Sequence, residues 1–264
     1  MDLPTTIGLL LSFFVGITLG FMGSGGSILT VPILVYIVGV QPVVATAYSL
    51  FIVGSTALTG SVLNSKDKNI DFNTALLFGI PSLLTVFMTR SVIVPAISET
   101  IRLSETISFS KNTFIMVLFA IVMLFSALKM IQNKVRVTQD DNQEINHFWI
   151  VLQGGIVGLV AGLVGAGGGF LIVPALMMFA KLPIRKAMGT SLIIVAIQSL
   201  IGFLGDVKHL TIDWTFLLMF CFCSIIGIFV GIRWSKKIVD AKLKKIFGWF
   251  ILAMAIFILR KEIF

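Results

Sequence analysis

The chain has 264 residues, of which 57% are hydrophobic and 12% charged, and its mean hydropathy is +1.05. These values exclude a soluble globular domain, in which about 25% of the residues are charged. The formal net charge of +8 does not indicate a nucleic-acid partner, because the basic residues collect in short loops beside apolar runs and there orient a chain in a lipid bilayer.

Eight apolar blocks follow one another along the chain, at residues 5–38, 43–63, 72–97, 113–131, 148–180, 187–205, 214–232 and 246–260. A membrane-spanning helix needs about 20 apolar residues, so the first and fifth blocks are too long for one simple span. The blocks are continuous and lack the alternation of barrel strands. We therefore predict an all-α integral membrane protein.

Both long blocks contain the same interruption. Residues 21–34 and 163–176 lie 142 positions apart, and seven of their fourteen positions are identical, including Pro32 and Pro174. A glycine cluster followed by proline interrupts a helix in apolar sequence. A break that is duplicated at membrane depth is typical of a transporter's binding site.

The similarity continues at the same offset beyond the glycines, because Asp71-Phe72 matches Asp213-Trp214. The chain is therefore predicted to consist of two homologous halves, at 1–135 and 148–264, joined by a polar linker at 136–147. Each half contains a glycine-broken helix, which is either a re-entrant hairpin or one long span, and three further transmembrane helices. Asp71 and Asp213 are predicted to cap the helices that follow them.

Charge favours an inverted relation of the halves. With re-entrant breaks and inverted halves, 14 of the 20 Lys and Arg residues lie on the cytoplasmic side, against 12 with parallel halves. Both arrangements place the basic 233–245 loop in the cytoplasm.

The breaks suggest an anion site. A helix that begins at Ser27 or Gly169 presents unpaired N–H groups and its positive dipole end, and a small anion is a natural partner for both in a dry interior. The glycines allow close approach of the backbone. In the alternative interpretation they only permit tight helix crossing. The candidate substrate contacts here are Gly25, Gly26, Ser27, Gly167, Gly168 and Gly169.

Polar side chains near the breaks are further candidates, namely Ser49, Thr190, Ser191 and Gln198. Serine and threonine can instead bond the carbonyls of their own helix. Arg90 has apolar sequence on both sides and could attract anions, but we favour an arginine that snorkels from the end of a span.

All 12 acidic residues fall in loops or near helix ends, so no mid-span carboxylate is expected to relay protons. Metalloprotease, Walker and Ser/His patterns are missing, and we predict neither an enzyme nor a metal or cofactor site.

The paired glycine phrases, together with residues 187–192, resemble the TauE/SafE family of membrane permeases over essentially the whole chain. The resemblance implies a secondary transporter in the bacterial inner membrane that exports sulfite, sulfoacetate or related organosulfonates by alternating access. Its partners would be a small anion and the lipid bilayer. The alternatives are a permease for another solute, such as an amino acid or another anion, a non-transporting scaffold and an intramembrane enzyme.

Overall fold

The structure is a computed structural model that describes residues 3–66, 69–98, 100–102, 108–132, 147–164, 168–207 and 209–263. It confirms the predicted all-α class. The helices are α1 (Leu3–Met22), α2 (Thr30–Pro32), α3 (Pro42–Lys66), α4 (Phe72–Met88), α5 (Val94–Ala96), α6 (Lys111–Gln132), α7 (His147–Val164), α8 (Gly169–Met178), α9 (Ile184–Asp206), α10 (Trp214–Ser235) and α11 (Asp240–Ile263).

Non-α segments extend three of these elements. A 3₁₀ helix, Gly23–Leu29, joins α1 to α2, and π-helical turns follow α2 at Ile33–Ile37 and α4 at Thr89–Ile93. Two three-residue strands, β1 (Thr100–Arg102) and β2 (Ser108–Ser110), pair in antiparallel register ahead of α6. Of the predicted linker at 136–147, only His147 lies within the described residues.

Both long apolar blocks are divided at their glycines. In the first half the chain reverses after α1. The evidence is the contact of Val38, just past the returning segment, with Gly8 near the start of α1. In the second half, α7 ends at Val164 and α8 begins at Gly169. The first break is therefore a hairpin that enters and leaves on one side of the bundle.

Helices α3 and α9 form the centre of the molecule. Among the described residues, five helices are long and apolar enough to cross a membrane. These two are the most buried of the five, with 67% and 72% of their apolar windows enclosed. Gly54 packs on Leu200, and Gly60, further along α3, lies near Leu192, which is earlier in α9. The two helices therefore run antiparallel.

Two further helix pairs tie the halves together. Gly16 of α1 packs against the backbone carbonyl of Ser224 in α10, and Gly158 of α7 packs against the carbonyl of Ser82 in α4. Both members of the second contact lie at the 142-residue offset from those of the first, so the two interfaces are equivalent. Glycine permits these approaches because a Cβ would collide with the opposing carbonyl.

The predicted N-caps are confirmed. The carboxylate of Asp71 accepts a hydrogen bond from the backbone N–H of Thr74 (2.9 Å), and that of Asp213 accepts one from Phe216 (3.1 Å). Each aspartate satisfies an N–H group that would otherwise lack a helical partner.

Gly227→Ala tests the close helix contact. The added methyl group would meet the carbonyl of Phe13, so α1 and α10 must separate. We expect a loss of about 1–3 kcal/mol of stability, measured as a lower melting temperature of the purified protein in detergent. The control is Gly79→Ala, whose Cβ would lie at an ordinary 3.7 Å from Ile194. Equal melting temperatures for the two variants would contradict the interface.

Candidate functional site

The two glycine breaks meet inside the bundle. Gly169, the first residue of α8, packs directly against the backbone of Ser24 in the 3₁₀ helix. The Ser24 hydroxyl donates to the carbonyl oxygen of Gly169 over 3.2 Å, and both residues are buried. A side chain at position 169 has no room here, so glycine is required for the breaks to touch.

The helical segments after the breaks begin at unequal places. Gly168 has a left-handed backbone (φ +64°) and immediately precedes α8, so the expected start at Gly169 is confirmed. In the first half the left-handed residue is Gly23 (φ +68°), and the 3₁₀ helix begins there. The expected start at Ser27 is wrong, because Gly25, Gly26 and Ser27 lie within that helix. The remaining predicted glycine, Gly167, lies outside the described residues.

Two of the predicted hydroxyls already have protein partners. Thr190 Oγ1 accepts a hydrogen bond from the backbone N–H of Asp71 (2.9 Å), and the Ser191 hydroxyl donates to the Met188 carbonyl (2.8 Å). At the position equivalent to Thr190, the Tyr48 hydroxyl accepts from the N–H of Asp213 (2.8 Å). Each half therefore supplies an acceptor for the helix start of the other, and these bonds hold the halves together.

Other hydroxyls remain without a partner. Ser27 and Ser49 are completely buried, and their Oγ atoms find no hydrogen-bond partner among the described residues. The same holds for Thr30 and Ser199. Buried polar groups are nearly always bonded in folded proteins, so these side chains are available to a ligand or to water.

Gln198 packs against the second break. Its Oε1 accepts a hydrogen bond of 2.6 Å from the Ser82 hydroxyl, and its Nε2 would lie 3.1 Å from a Cβ at Gly168. The equivalent pair in the other half is Thr56 and Ser224, whose hydroxyls are 3.1 Å apart. Gln198 thus connects α4 to the turn that starts α8.

The favoured interpretation of Arg90 as a snorkelling side chain is wrong. Arg90 has no exposed surface, and its Nη1 lies 3.3 Å from a carboxylate oxygen of Asp206 and 3.1 Å from Thr46 Oγ1. The π-helical turn after α4 carries Arg90 against the end of α9, where Gly205 leaves room for it. An arginine buried this deeply requires an anionic partner.

The carboxylate that faces Arg90 belongs to Asp206. Asp206 does lie at a helix end, as its position in the sequence suggests, but it is only 4% exposed. The spacing of apolar residues could not show this, because the burial of Asp206 depends on the π-helical turn after α4 packing against the end of α9.

A small polar cavity opens at the other end of α3 and α9. Its volume is about 30 Å³. It is lined by Gly20, Gly23, Asn64, Asn69, Arg185, Met188, Leu192, Ile232, Ser235 and Lys236. It therefore joins the residue at which the first break begins to two cationic side chains and two amides. Asn64 is not among the predicted site residues, although an amide at the end of an apolar span was a usable signal.

The chain was compared with known proteins. The family model described as "Sulfite exporter TauE/SafE" matches residues 8–258. A "Probable membrane transporter protein" of Xylella fastidiosa is 28% identical over 251 residues, covering 93% of this chain and 91% of the relative. "Probable membrane transporter protein YunE" of Bacillus subtilis is 28% identical over 225 residues, covering 79% and 80%. No solved structure gave a significant match.

Thr190→Val and Tyr48→Phe test the reciprocal bonds between the halves. Each variant leaves one backbone N–H without its acceptor, and we expect each to cost about 1 kcal/mol of stability. The two sites lie near opposite ends of the α3–α9 pair, so the double variant should be additive within about 0.5 kcal/mol. Thr59→Val is the control, because that hydroxyl bonds only the Ser55 carbonyl of its own helix. The stability of all four variants is measured by their melting temperatures. If Thr59→Val is as unstable as Thr190→Val, the bond between Thr190 and Asp71 does not hold the halves together.

Proposed function

The chain belongs to the sulfite exporter TauE/SafE family and is a multi-pass membrane transporter, and we propose that it exports small sulfur-containing oxyanions. Its substrates on this proposal are sulfite, sulfoacetate or related organosulfonates. We further propose that it works as a secondary transporter in the inner membrane of a bacterium.

The cavity beside the first break is the observation that supports an anionic substrate. Arg185 and Lys236 supply positive charge, and the amides of Asn64 and Asn69 supply N–H donors. Arg185 is held in place through a hydrogen bond of 2.8 Å from its Nη2 to the Ile238 carbonyl. Guanidinium and ammonium groups match the charge and the hydrogen-bonding needs of an oxyanion.

The antiparallel packing of α3 on α9 supports inverted halves. These two helices occupy equivalent positions in the repeats, so they could not run antiparallel if the repeats had the same orientation. On the inverted arrangement the cavity and the basic 233–245 segment lie on the cytoplasmic side. An anion would then enter from the cytoplasm beside Gly23 and move toward the point where the breaks meet.

Alternating access follows from the same arrangement. Helices α1, α3 and α10 run in one direction, and α4, α7 and α9 run in the other. Successive contacts show this, because their residue numbers rise together in both helices of each pair: Gly16–Ser224 and Gly20–Ile228, Thr56–Ser224 and Gly60–Ile228, Gly154–Phe78 and Gly158–Ser82, and Gly79–Ile194 and Gly202–Val86. Each set combines helices from both halves. Rocking of one set against the other would close the cavity and open an equivalent one on the opposite side.

Flux through liposomes tests the substrate class. Purified protein in sealed vesicles should release loaded sulfite or sulfoacetate faster than protein-free vesicles do, with thiosulfate as a third oxyanion. Vesicles loaded with a neutral amino acid provide the matched control. Release of the amino acid alone, or of no sulfur oxyanion by folded protein, would overturn the proposal.

Gly169→Ala tests the contact between the breaks. The added methyl group would collide with the Ser24 carbonyl and separate the two segments, so we expect sulfite release to fall about tenfold or more, because misplaced binding groups lose much of their effect. Insertion should persist, as judged from the amount of protein in the membrane. Gly155→Ala is the control, since its Cβ would lie 3.9 Å from Thr85. Equal release by both variants would show that the contact is irrelevant to transport.

A further inference from the structure

Arg90 presents an unused hydrogen-bonding edge inside the protein. Its Nη1 faces Asp206 and Thr46, but Nε and Nη2 find no partner among the described residues. These two nitrogens form the side-on fork of a guanidinium, which matches two oxygens of one anion. One turn along α3 from Thr46, on the same face, Ser49 adds a buried and equally unpartnered hydroxyl.

The internal repeat makes the surroundings of Arg90 equivalent to the cavity. At the 142-residue offset, Asp206 is the equivalent of Asn64, Arg90 of Ile232 and Thr46 of Met188, and the three equivalents all line the cavity. Met188 and Asp206 are separated by roughly 27 Å along α9, given a rise of 1.5 Å per residue. The ion pair therefore stands at the far end of the bundle, where the second half-site of an inverted repeat would open.

We infer that Arg90 binds the transported oxyanion in this second half-site, and that the Asp206 carboxylate takes the place of the anion when that side is closed. The inference rests on the proposed function and deepens it, because it names the residue that receives the substrate on the side opposite the cavity. An oxyanion reaching Arg90 would meet the Nε–Nη2 edge and the Ser49 hydroxyl. It would contact other nitrogens than Asp206 does, and would compete with that carboxylate for the single positive charge of the guanidinium.

This competition gives Asp206 a defined part in transport. While the carboxylate is paired, the guanidinium is neutralised and the contact of Gly205 in α9 with the π-helical turn after α4 stays closed. When an anion neutralises Arg90 instead, Asp206 is released and the end of α9 can separate from α4. The cavity end has no such pair, because Ile232 and Asn64 carry no charge, so the two ends of the transporter close by different interactions.

The test uses a double variant that removes both buried charges at once. In the double variant Arg90→Gln/Asp206→Asn neither residue is charged, whereas either single change leaves one buried charge unpaired and is expected to destabilise the fold. We expect the double variant to melt near the wild-type temperature. Its sulfite release from liposomes should fall by about 10- to 100-fold, the usual effect of losing a hydrogen bond to a charged group. The shift in melting temperature on adding sulfite should shrink with it.

The control removes another buried pair that joins two helices. Thr56→Val/Ser224→Ala deletes two hydroxyls 3.1 Å apart on α3 and α10, and should release sulfite at the wild-type rate. If the Arg90→Gln/Asp206→Asn protein also releases sulfite normally, the ion pair is only structural and the inference is overturned. If wild-type protein releases no sulfur oxyanion, the proposed function itself fails, which is a separate outcome.

Ser49→Ala keeps the inference testable if the double variant does not fold. Removal of this hydroxyl should lower the apparent affinity for sulfite by about threefold to tenfold without changing the melting temperature. Ser12→Ala is the matched control, because Ser12 is also fully buried but donates only to the Leu9 carbonyl of its own helix. Equal sulfite affinities for the two serine variants would overturn the assignment of Ser49 and Arg90 to one half-site.

Discussion

Hydrocarbon supplies no hydrogen-bond partners, so a helix can be interrupted at membrane depth only where protein encloses the interruption. Both glycine breaks of this chain meet that condition by lying against each other. The Ser24 hydroxyl bonds the Gly169 carbonyl, and the amide of Gln198 packs on Gly168. The central position of α3 and α9 follows, because these helices enclose the breaks on the sides that the outer helices leave open.

The pairs α1–α10 and α7–α4 also approach closely because glycines at their contacts leave out a side chain. Glycines at equivalent positions place α1 on α10 and α7 on α4, so each half packs mainly on the other half rather than on itself. The reciprocal bonds from Thr190 to Asp71 and from Tyr48 to Asp213 reinforce this exchange. The two halves thus form one packed unit.

The two ends share a backbone plan but differ in chemistry. Two cationic side chains, two amides, a serine and apolar side chains surround the cavity end, whereas an arginine paired with an aspartate, together with a threonine, occupies the other. Burial of either charge alone is costly, so Arg90 and Asp206 depend on each other as long as both stay buried.

The residue pattern alone determined the helical class, the duplication, both breaks and the Asp71 and Asp213 caps, because apolar length, glycine clusters and capping aspartates act locally. It could not show that Arg90 is buried or that Asp206 faces it, since the two are 116 positions apart and meet only when the π-helical turn after α4 packs against the end of α9. Nor could it show that the Ser191 hydroxyl bonds a carbonyl of its own helix whereas the Ser49 hydroxyl has no partner among the described residues. Tertiary packing decided these points, because burial and hydrogen bonding depend on which distant surfaces meet.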